Sequence, residues 1–468
     1  MIQEGHPSPR GAGHARLGVD WASVAVFAAG LLLMGGLQAR YLPFAYEGMY
    51  FQEHSSEDMM QTASLVDLRE RPAGTLLVLH IQPPLLDALR ASLARLWPAV
   101  GRRELVARVD RGLYLIWAIV YASMGVLVFR WLRPLLSRAS IAGLAALAFF
   151  FHPAAIQYAT FLEGTLLTSF GILWLCYALW RIPARGATLS LAAAYVLLFS
   201  VRSIFQWPAL VVLVAALVLR RAPRRSVLVF ALSCGVVAGS FMLKQYLVLG
   251  TTSTSSFAGM SCLQALGDEP EIGLTSPTDT PLGPLFPRLF PAGFPPALTR
   301  ETKIGGAHNF NHLADLRNGR ALAGRCRERL TSDPLERTLA AWAENVSIFF
   351  QPSSRYLTPH VIVDRLPWRG PYDWVFSGPR LALLLVVATL VWLRGRTVPE
   401  VLRGLGLALP VLFVSAVSVM FDRSENMRFK FFVEPVLYVF LVTQAGALAR
   451  RRRRAVAPAQ AAAPGTPR

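Results

Sequence analysis

Three things are scarce in this sequence: charge inside its long apolar runs, lysine and cysteine. Lysine occurs at only three positions, Lys244, Lys303 and Lys430, so arginine supplies nearly all of the positive charge. The four cysteines form no Cys-x-x-Cys pair, and no other ligand spacing supports a zinc site. The sequence also lacks a Walker-type phosphate loop and a dinucleotide-binding glycine fingerprint, which argues against an ATP-driven pump or a dinucleotide enzyme.

The apolar runs indicate the class of protein. Hydrophobic residues make up 54% of the chain and charged residues 16%, and the apolar runs are close to the roughly 20 residues that a membrane-spanning helix requires. The net charge of +19 could suggest nucleic-acid binding, but the arginines gather at the ends of apolar runs, where the positive-inside rule places them. The composition therefore predicts an all-α polytopic membrane protein that binds no nucleic acid.

About ten transmembrane helices follow from the runs and from the basic clusters between them. The predicted spans are 19–39, 112–132, 139–158, 162–180, 187–201, 204–219, 226–248, 379–393, 401–420 and 431–449. With both termini in the cytoplasm, every strong basic cluster between or after spans falls on the cytoplasmic side, including the last one, Arg450 to Arg454. The topology is therefore internally consistent.

These spans divide the chain into five segments. In chain order they are a cytoplasmic N-terminal segment, 1–18; a first transmembrane module, 19–248, with an outer loop at 40–111; an extracytoplasmic loop region, 249–378; a three-span segment, 379–449; and a basic cytoplasmic tail, 450–468. Both outer regions are large enough to carry a site at the membrane surface.

The first outer loop concentrates polar groups beside a span. It holds the adjacent acids Glu57 and Asp58, and later His80 before a Pro-Pro step. Ser55 and Asp58 match the capping box of a helix N-terminus, and the leucine repeat from Leu85 to Leu96 predicts a second helix that begins at the Pro-Pro step. Two helices with one apolar and one polar face would lie in the plane of the membrane surface.

The second outer region, 249–378, offers one helix and one possible disulfide. Asp333 and the proline after it form a good helix start, and the helical spacing from Leu335 to Phe349 predicts a segment that lies against the membrane or the bundle. Cys262 and Cys326 both fall in this region, where an oxidising compartment would permit a bridge. The sequence leaves open whether the two are close enough to pair.

The order of several short motifs resembles that of the GT-C superfamily of membrane glycosyltransferases, which includes protein O-mannosyltransferases and lipid A aminoarabinose transferases. The matching motifs are Glu57-Asp58, the step from His80 to Leu85, Pro153 followed by Glu163, the stretch from Lys244 to Gly259 and, more weakly, Glu434-Pro435. The family's usual His-Pro-Pro step is interrupted here by Ile81 and Gln82. The resemblance implies transfer of a sugar from a polyprenyl-phosphate-linked donor to a glycan, lipid or protein acceptor, outside the inner membrane of a bacterium.

The acidic pair is the candidate catalytic centre under this resemblance. A carboxylate can take the proton of an acceptor hydroxyl as that hydroxyl attacks, and partial burial would raise its pKa toward the working pH. Asp58 is the preferred base and Glu57 the alternate. The pair could instead hold a divalent cation, Mg²⁺ or Mn²⁺, or both acids could simply favour a helix N-terminus.

Further polar residues are candidates for binding the substrates. Arg202, Arg428 and Lys430, with Arg423 as a further candidate, lie at outer turns, where arginine forks match phosphate; headgroup anchoring is the alternative. Glu163 stands where a span meets the outer surface, so it is a functional candidate or a rim residue in water.

Histidines complete the set of candidates. His80 could bind the donor phosphate or the acidic pair, or could be a structural hydrogen-bonder. His308 and Asn309, in a cluster with Asn311 and His312, could contact the sugar or the acceptor. Two histidines four residues apart would share a helix face, but no third metal ligand is visible in the sequence.

Two other classes of protein remain open. A transporter or flippase of lipid-linked glycans would place ionisable groups near the membrane midplane, often in broken or repeated helices. The predicted spans are nearly free of charge and no internal repeat is visible, which favours the enzyme. A GT-C-like protein that has lost its catalytic activity is the third possibility.

Overall fold

The structure is a computed structural model. It describes residues 20–268, 282–357, 359–423 and 425–461. The predicted N-terminal segment, 1–18, part of the Gly- and Pro-rich stretch in the long loop, and the last residues of the predicted tail lie outside the described residues.

Helices account for all regular structure in the described part of the chain apart from two isolated β-bridges. The α-helices are, in chain order, α1 (Trp21–Tyr41), α2 (Leu65–Glu70), α3 (Pro72–Leu77), α4 (Leu85–Ala94), α5 (Arg102–Leu132), α6 (Ala139–Phe150), α7 (Pro153–Ala159), α8 (Thr165–Arg181), α9 (Ala187–Val201), α10 (Trp207–Leu219), α11 (Arg224–Leu249), α12 (Ala258–Ala265), α13 (Phe286–Leu289), α14 (Pro296–Thr299), α15 (Leu313–Ser332), α16 (Leu335–Phe349), α17 (Arg369–Val375), α18 (Gly378–Leu393), α19 (Val398–Phe421) and α20 (Asn426–Ala461).

Between five and seven candidate membrane spans are present among the described residues. Five helices, α1, α5, α11, α19 and α20, are long and apolar enough to cross a membrane by themselves. Two pairs, α6 with α7 and α17 with α18, qualify together but are bent by 61° and 56°. Helices α8, α9 and α10 are apolar but shorter. The prediction of an all-α membrane protein is confirmed at this level.

A proline breaks the predicted span 139–158 into α6 and α7. Proline has no backbone N–H and restricts the residue before it, so α6 ends ahead of Pro153 and α7 begins with it. The Nδ1 atom of His152 accepts a hydrogen bond from the backbone N–H of Ala155 at 3.4 Å and caps the new helix. The prediction of one continuous helix here is therefore wrong, because the apolar pattern continues through the break.

Helix α8 lies in the interior of the bundle. Its residues are buried around most of its circumference, from Thr165 at its start to Leu179 near its end, as expected for a helix that is apolar all round. It packs against α5, α9, α19 and α20. Glu163 and Gly164, which precede its N-terminal end, are likewise buried in the bundle.

Both ends of the predicted outer loop 40–111 are helical, because α1 runs to Tyr41 and α5 already begins at Arg102. The predicted capping contacts do form: the Oδ2 atom of Asp58 accepts hydrogen bonds from the backbone N–H and the hydroxyl of Ser55, at 3.2 and 2.5 Å. They close only one turn. The hydroxyl of Thr62 then donates to the backbone carbonyls of the turn, and α2 begins only at Leu65, so the helix predicted after Ser55 is wrong.

The second predicted helix of this loop is α4, but its orientation differs from the prediction. Leu85, Leu89 and Leu93 are only half-buried, whereas Asp87 and Arg90 are completely buried. The prediction assumed that the polar face would meet water. Here the polar residues neutralise one another, which allows that face to point inward.

The long outer loop is organised around a disulfide. Cys262 in α12 and Cys326 in α15 are bonded, with their Cα atoms 6.0 Å apart. The two helices approach closely at glycines: a Cβ on Gly259 would collide with the backbone of Ala323, and one on Gly319 with the backbone of the segment before α12. The segment just before α12 contacts the first outer loop, where the backbone N–H of Ser256 donates to the carbonyl of His80 at 2.7 Å.

Candidate functional site

A set of charged and polar side chains, most of them buried, lies at the N-terminal end of α8. We call it the Glu163 network, and its members are Gln61, Glu163, Thr165, Arg202, Glu425 and Arg428. It joins the first outer loop, the turn before α8, the turn after α9 and the turn before α20. Topology alone predicted that three of these residues would lie on the outer face, and the structure brings the three into direct contact.

Two guanidiniums share the carboxylate of Glu163. Arg202 is ion-paired to Glu163, and the Nη1 atom of Arg428 lies 3.2 Å from its Oε2 atom. Burial, together with the charge of Arg428 beside it, lowers the pKa of Arg202. Arg428 also pairs with Glu425 and lies over the ring of Tyr356, 4.9 Å from its centroid. Arg202 and Arg428 thus lie among three acids, Glu163, Glu425 and the buried Asp422, so an incoming anionic group would have to take the place of one of these carboxylates.

The network connects directly to the turn that carries the acidic pair. The Nη1 atom of Arg202 donates a hydrogen bond to the Oε1 atom of Gln61 at 2.6 Å. Gln61 is half-buried and lies three residues after Asp58 in the same irregular turn. The candidate phosphate ligands are thus connected to Asp58 through the backbone of this turn.

Asp58 is the member of the acidic pair with an available oxygen. Its Oδ2 atom is held by Ser55, while its Oδ1 atom makes no hydrogen bond with any residue of the described chain. The hairpin of residues 303–307 lies against it. Its Gly305 has a φ of +91°, which favours glycine, and a Cβ there would be in ordinary van der Waals contact with Oδ1, at 3.6 Å. Lys303 fixes this hairpin by donating from Nζ to the carbonyl of Met59 at 2.6 Å.

Glu57, by contrast, is completely buried and fully occupied. Its carboxylate accepts hydrogen bonds from the backbone N–H groups of Leu65 and Ile304, at 3.0 and 3.2 Å, and lies 2.6 Å from the Nη2 atom of Arg90. Arg90 also pairs with Asp87 at 2.7 Å. Burial raises the pKa of Glu57, while Arg90 and Lys303 oppose that shift. These contacts give Glu57 a structural place between α2 and α4.

The acidic pair does not fit the predicted divalent cation. One of its two carboxylates is already used by two backbone N–H groups and by Arg90, whose charge would repel a metal ion. Only Asp58 remains. Within the described ranges, no group of three or more His, Cys, Asp and Glu side chains could hold a metal ion.

His80 lies between the two outer loops. Its Nδ1 atom is 3.0 Å from the hydroxyl of Ser256, its Nε2 atom is 3.1 Å from the carbonyl of Asn311, and its backbone N–H donates to the side chain of Asn311 at 3.0 Å. The ring is completely buried, and burial lowers its pKa to about 3. His80 is therefore a neutral hydrogen-bonding group that joins the first loop to the second.

The low pKa of His80 predicts a dependence of stability on pH. An unfolded histidine has a pKa near 6.5, so between pH 6.5 and 3 the unfolded chain binds a proton that the folded chain does not, and stability falls as pH falls. At pH 5 this should cost about 2 kcal/mol relative to neutral pH. His80→Gln should reduce the loss of melting temperature between pH 7.5 and 5.

The exposed His54 provides the control for this measurement. His54→Gln should leave the pH dependence of the melting temperature unchanged. The pH dependence that remains in His80→Gln is due in part to His360, whose pKa is also lowered to about 3 by burial. An unaltered slope in His80→Gln would contradict a neutral His80.

Lys430 belongs to a different cluster from the other predicted phosphate ligands. Its Nζ atom donates to the carbonyl of Phe376 at 2.9 Å and lies 3.3 Å from Glu434 in the next turn of α20. Glu434 also accepts a hydrogen bond from Ser353 at 2.8 Å and lies 3.3 Å from His152. All of these side chains are buried. Lys430 lies just before the predicted span 431–449, so Glu434 is the charged residue that falls within this span.

His308 and Asn309 also have partners within the outer loop. The Nε2 atom of His308 lies 3.0 Å from the Oδ2 atom of Asp315, and Asn309 donates to the carbonyl of Arg300 at 2.8 Å. His308 forms an isolated β-bridge with Thr302, whereas His312 is the N-cap of α15. The two histidines therefore do not share a helix face, and the prediction that they would is wrong.

Sequence reasoning missed several members of these clusters. Gln61, Arg90 and Lys303 carry no motif. A signal existed only for Arg90: the Asp-x-x-Arg spacing with Asp87 places an ion pair on one face of α4. The hydrogen-bond partners of Gln61 and Lys303, which are Arg202 and Met59, lie far from them in the sequence.

Comparison with known proteins adds no assignment. A scan of protein-family models finds none that matches this chain, and a search of curated proteins finds no significant match. The inference of function therefore depends on the geometry described above and on the resemblance of the motifs.

Proposed function

We propose that this protein is a GT-C-like membrane glycosyltransferase. It transfers a sugar from a polyprenyl-phosphate-linked donor to a glycan, lipid or protein acceptor on the extracytoplasmic face of the bacterial inner membrane. The observation that carries the proposal is the contact between Arg202 and Gln61, which joins two buried guanidiniums to the turn that holds Asp58. The candidate phosphate ligands and the candidate base are thus linked through the turn of residues 58–61.

The proposed topology has ten spans and places both termini in the cytoplasm. Five long helices, two bent pairs and three shorter apolar helices make up that number. Under this topology the Glu163 network lies on the outer face, at the ends of α9 and α19 and the beginnings of α8 and α20, and Asp58 lies on the same face in the loop between α1 and α5. That is the level at which the headgroup of a membrane lipid is found.

The proposed reaction needs only side chains for its proton and charge transfers. The acceptor hydroxyl loses its proton to Asp58 Oδ1 while its oxygen bonds to the anomeric carbon, and the bond from that carbon to the phosphate oxygen breaks. The phosphate leaves with the bonding electrons and is held by Arg202 and Arg428. Gln61 and Glu425 are only partly buried, so they are the partners that the phosphate displaces.

Asp58→Asn tests the proposed base. The amide keeps the size of the side chain but cannot take a proton, so transfer should fall by at least about 10²-fold. The measurement is a mass-spectrometric profile of surface glycans from cells that lack the native gene and carry the variant, at equal protein level in the membrane. Glu53→Gln, an exposed acid in the same loop, should leave the profile unchanged. A wild-type profile in Asp58→Asn would remove Asp58 as the base.

A transporter of lipid-linked glycans is the second candidate, and the buried Lys430, Glu434 and His152 favour it. The two functions differ in their need for a sealed membrane. Purified protein in detergent, given a lipid-linked sugar donor and cell-derived acceptor, should form the glycosylated product if it is the transferase. Movement of the donor across sealed vesicles without product formation would establish the transporter instead.

A further inference from the structure

Helix α16 is buried against the bundle on one face. That face carries Thr338, Asn345 and Phe349, and Asn345 is completely buried. The polar side chain in this face has partners in the neighbouring helices: Nδ2 of Asn345 donates to the carbonyls of Ala265 and Val419, both at 2.9 Å. The helix is thus fixed to the rest of the protein by its polar residues.

Hydrogen bonds hold α16 at the level where three candidate membrane helices begin or end. Val419 lies two residues before the end of α19, and Asn426, which begins α20, donates to the carbonyl of Asn345 at 3.2 Å. Gly378, which begins α18, donates its backbone N–H to the carbonyl of Phe350 at 2.7 Å. The C-terminal half of α16 is therefore at the boundary of the apolar bundle.

A second face of α16 is apolar and largely exposed. Leu335, Leu339 and Val346 are 70, 50 and 42% exposed, and Trp342 beside them is half-buried. Their 4-3-4 spacing puts them in one stripe, roughly 80° around the helix axis from the buried face. Three large exposed aliphatic residues in one stripe would be costly in water.

A third face of α16 is polar. Arg337 and Glu344 are exposed on the side opposite the apolar stripe, and Glu336 and Ser347 are exposed between the two. Glu344 forms an ion pair of 2.6 Å with Arg423, in the turn between α19 and α20. The helix therefore offers separate surfaces to protein, to an apolar medium and to water.

We propose that α16 is an interfacial helix whose apolar stripe inserts into the outer leaflet of the bilayer. Two observations select lipid as the occupant of the stripe. The stripe lies at the ends of the membrane helices, and α18, which begins beside it, exposes further large aliphatic residues such as Leu383 and Leu390. An in-plane helix with water on its polar side fits this boundary.

The proposal does not depend on glycosyl transfer. If it is correct, the long outer loop is anchored to the membrane by α16, and the turn that carries Arg428 lies directly beside that anchor. The depth of α16 would then set the height of the two guanidiniums relative to the lipid headgroups.

Spin-label accessibility tests the proposal in the full-length protein, reconstituted in phosphatidylethanolamine and phosphatidylglycerol vesicles. Leu339→Cys and Arg337→Cys are labelled with a nitroxide, and the unsubstituted protein controls for reaction at Cys176 and Cys234, which are buried. The ratio of collision with oxygen to collision with a water-soluble nickel chelate should be several-fold higher at position 339 than at 337, because oxygen concentrates in the lipid and the chelate in water.

Two other results would overturn it. Equal nickel accessibility at both positions would show that the stripe faces water. Exclusion of both collision partners at position 339, with spin–spin broadening that disappears on dilution with unlabelled protein, would show that a second copy of this chain covers the stripe.

Discussion

Arg90→Leu should destabilise the protein by about 3–5 kcal/mol, because it leaves a buried carboxylate cluster without its cation. Arg90 is completely buried and is ion-paired to Glu57 and Asp87, at 2.6 and 2.7 Å, while its Nη1 atom also donates to the carbonyl of Ala63 at 2.6 Å. Asp110, which bonds the hydroxyl of Ser56, is a third acid beside it. Thermal or chemical denaturation of the detergent-solubilised protein measures the loss.

Arg95→Leu is the matched control, since Arg95 is exposed at the end of the same helix. It should change stability by less than about 0.5 kcal/mol. The double variant Glu57→Met with Arg90→Met should recover part of the loss, because it removes the charges as a pair. If Arg90→Leu melts like the wild type, the cluster around Arg90 does not hold the first outer loop together.

The different fates of Glu57 and Asp58 show where sequence reasoning stops. The two acids are adjacent, so composition, spacing and family resemblance treat them almost alike. What separates them comes from distant parts of the chain. Arg90 and the backbone N–H of Ile304 bind the carboxylate of Glu57, whereas Gly305 lies beside Asp58 without blocking its free oxygen. A choice between them requires tertiary contacts.

The grouping of Glu163, Arg202 and Arg428 was partly predictable. Each residue lies at the end of an apolar run, and the alternation of basic clusters places those ends on one side of a membrane. Sequence therefore predicts a shared face. It does not predict that two guanidiniums share one carboxylate, because the neighbours of α8 in the bundle depend on packing between helices that are far apart in the chain.

Polarity was the least reliable guide to burial. The polar face of α4 points inward, and Lys430 and Glu434 are buried in α20, because in each case opposite charges lie within an ion-pairing distance. Pro153 is a helix-breaking signal in the sequence, but apolar residues continue on both sides of it, so the pattern alone predicts one uninterrupted span. Hydrophobic periodicity locates most helices of this chain, whereas the choice of which residues are buried on a helix also depends on ion pairs between polar side chains.

Glu163→Gln should cost about 3–5 kcal/mol of stability and should also create a test for phosphate binding. The amide keeps the volume but removes the carboxylate that Arg202 and Arg428 share, which leaves two buried guanidiniums with less counter-charge. If this region binds a lipid phosphate, a short polyprenyl phosphate such as farnesyl phosphate in the detergent micelle should restore part of the lost stability. Binding at about 100 times its dissociation constant would return about 2.7 kcal/mol.

The controls separate a phosphate site from a structural ion pair. Farnesol has the same chain without the charge and should restore nothing, and Glu344→Gln, which removes an exposed partner of Arg423, should change stability by no more than about 1 kcal/mol. A large loss in Glu163→Gln that neither compound reverses would make the network purely structural and would leave the proposed transferase without its phosphate ligands. Recovery with the phosphate alone would mean that the two guanidiniums can exchange a protein carboxylate for a lipid phosphate, which is the step that the proposed reaction requires.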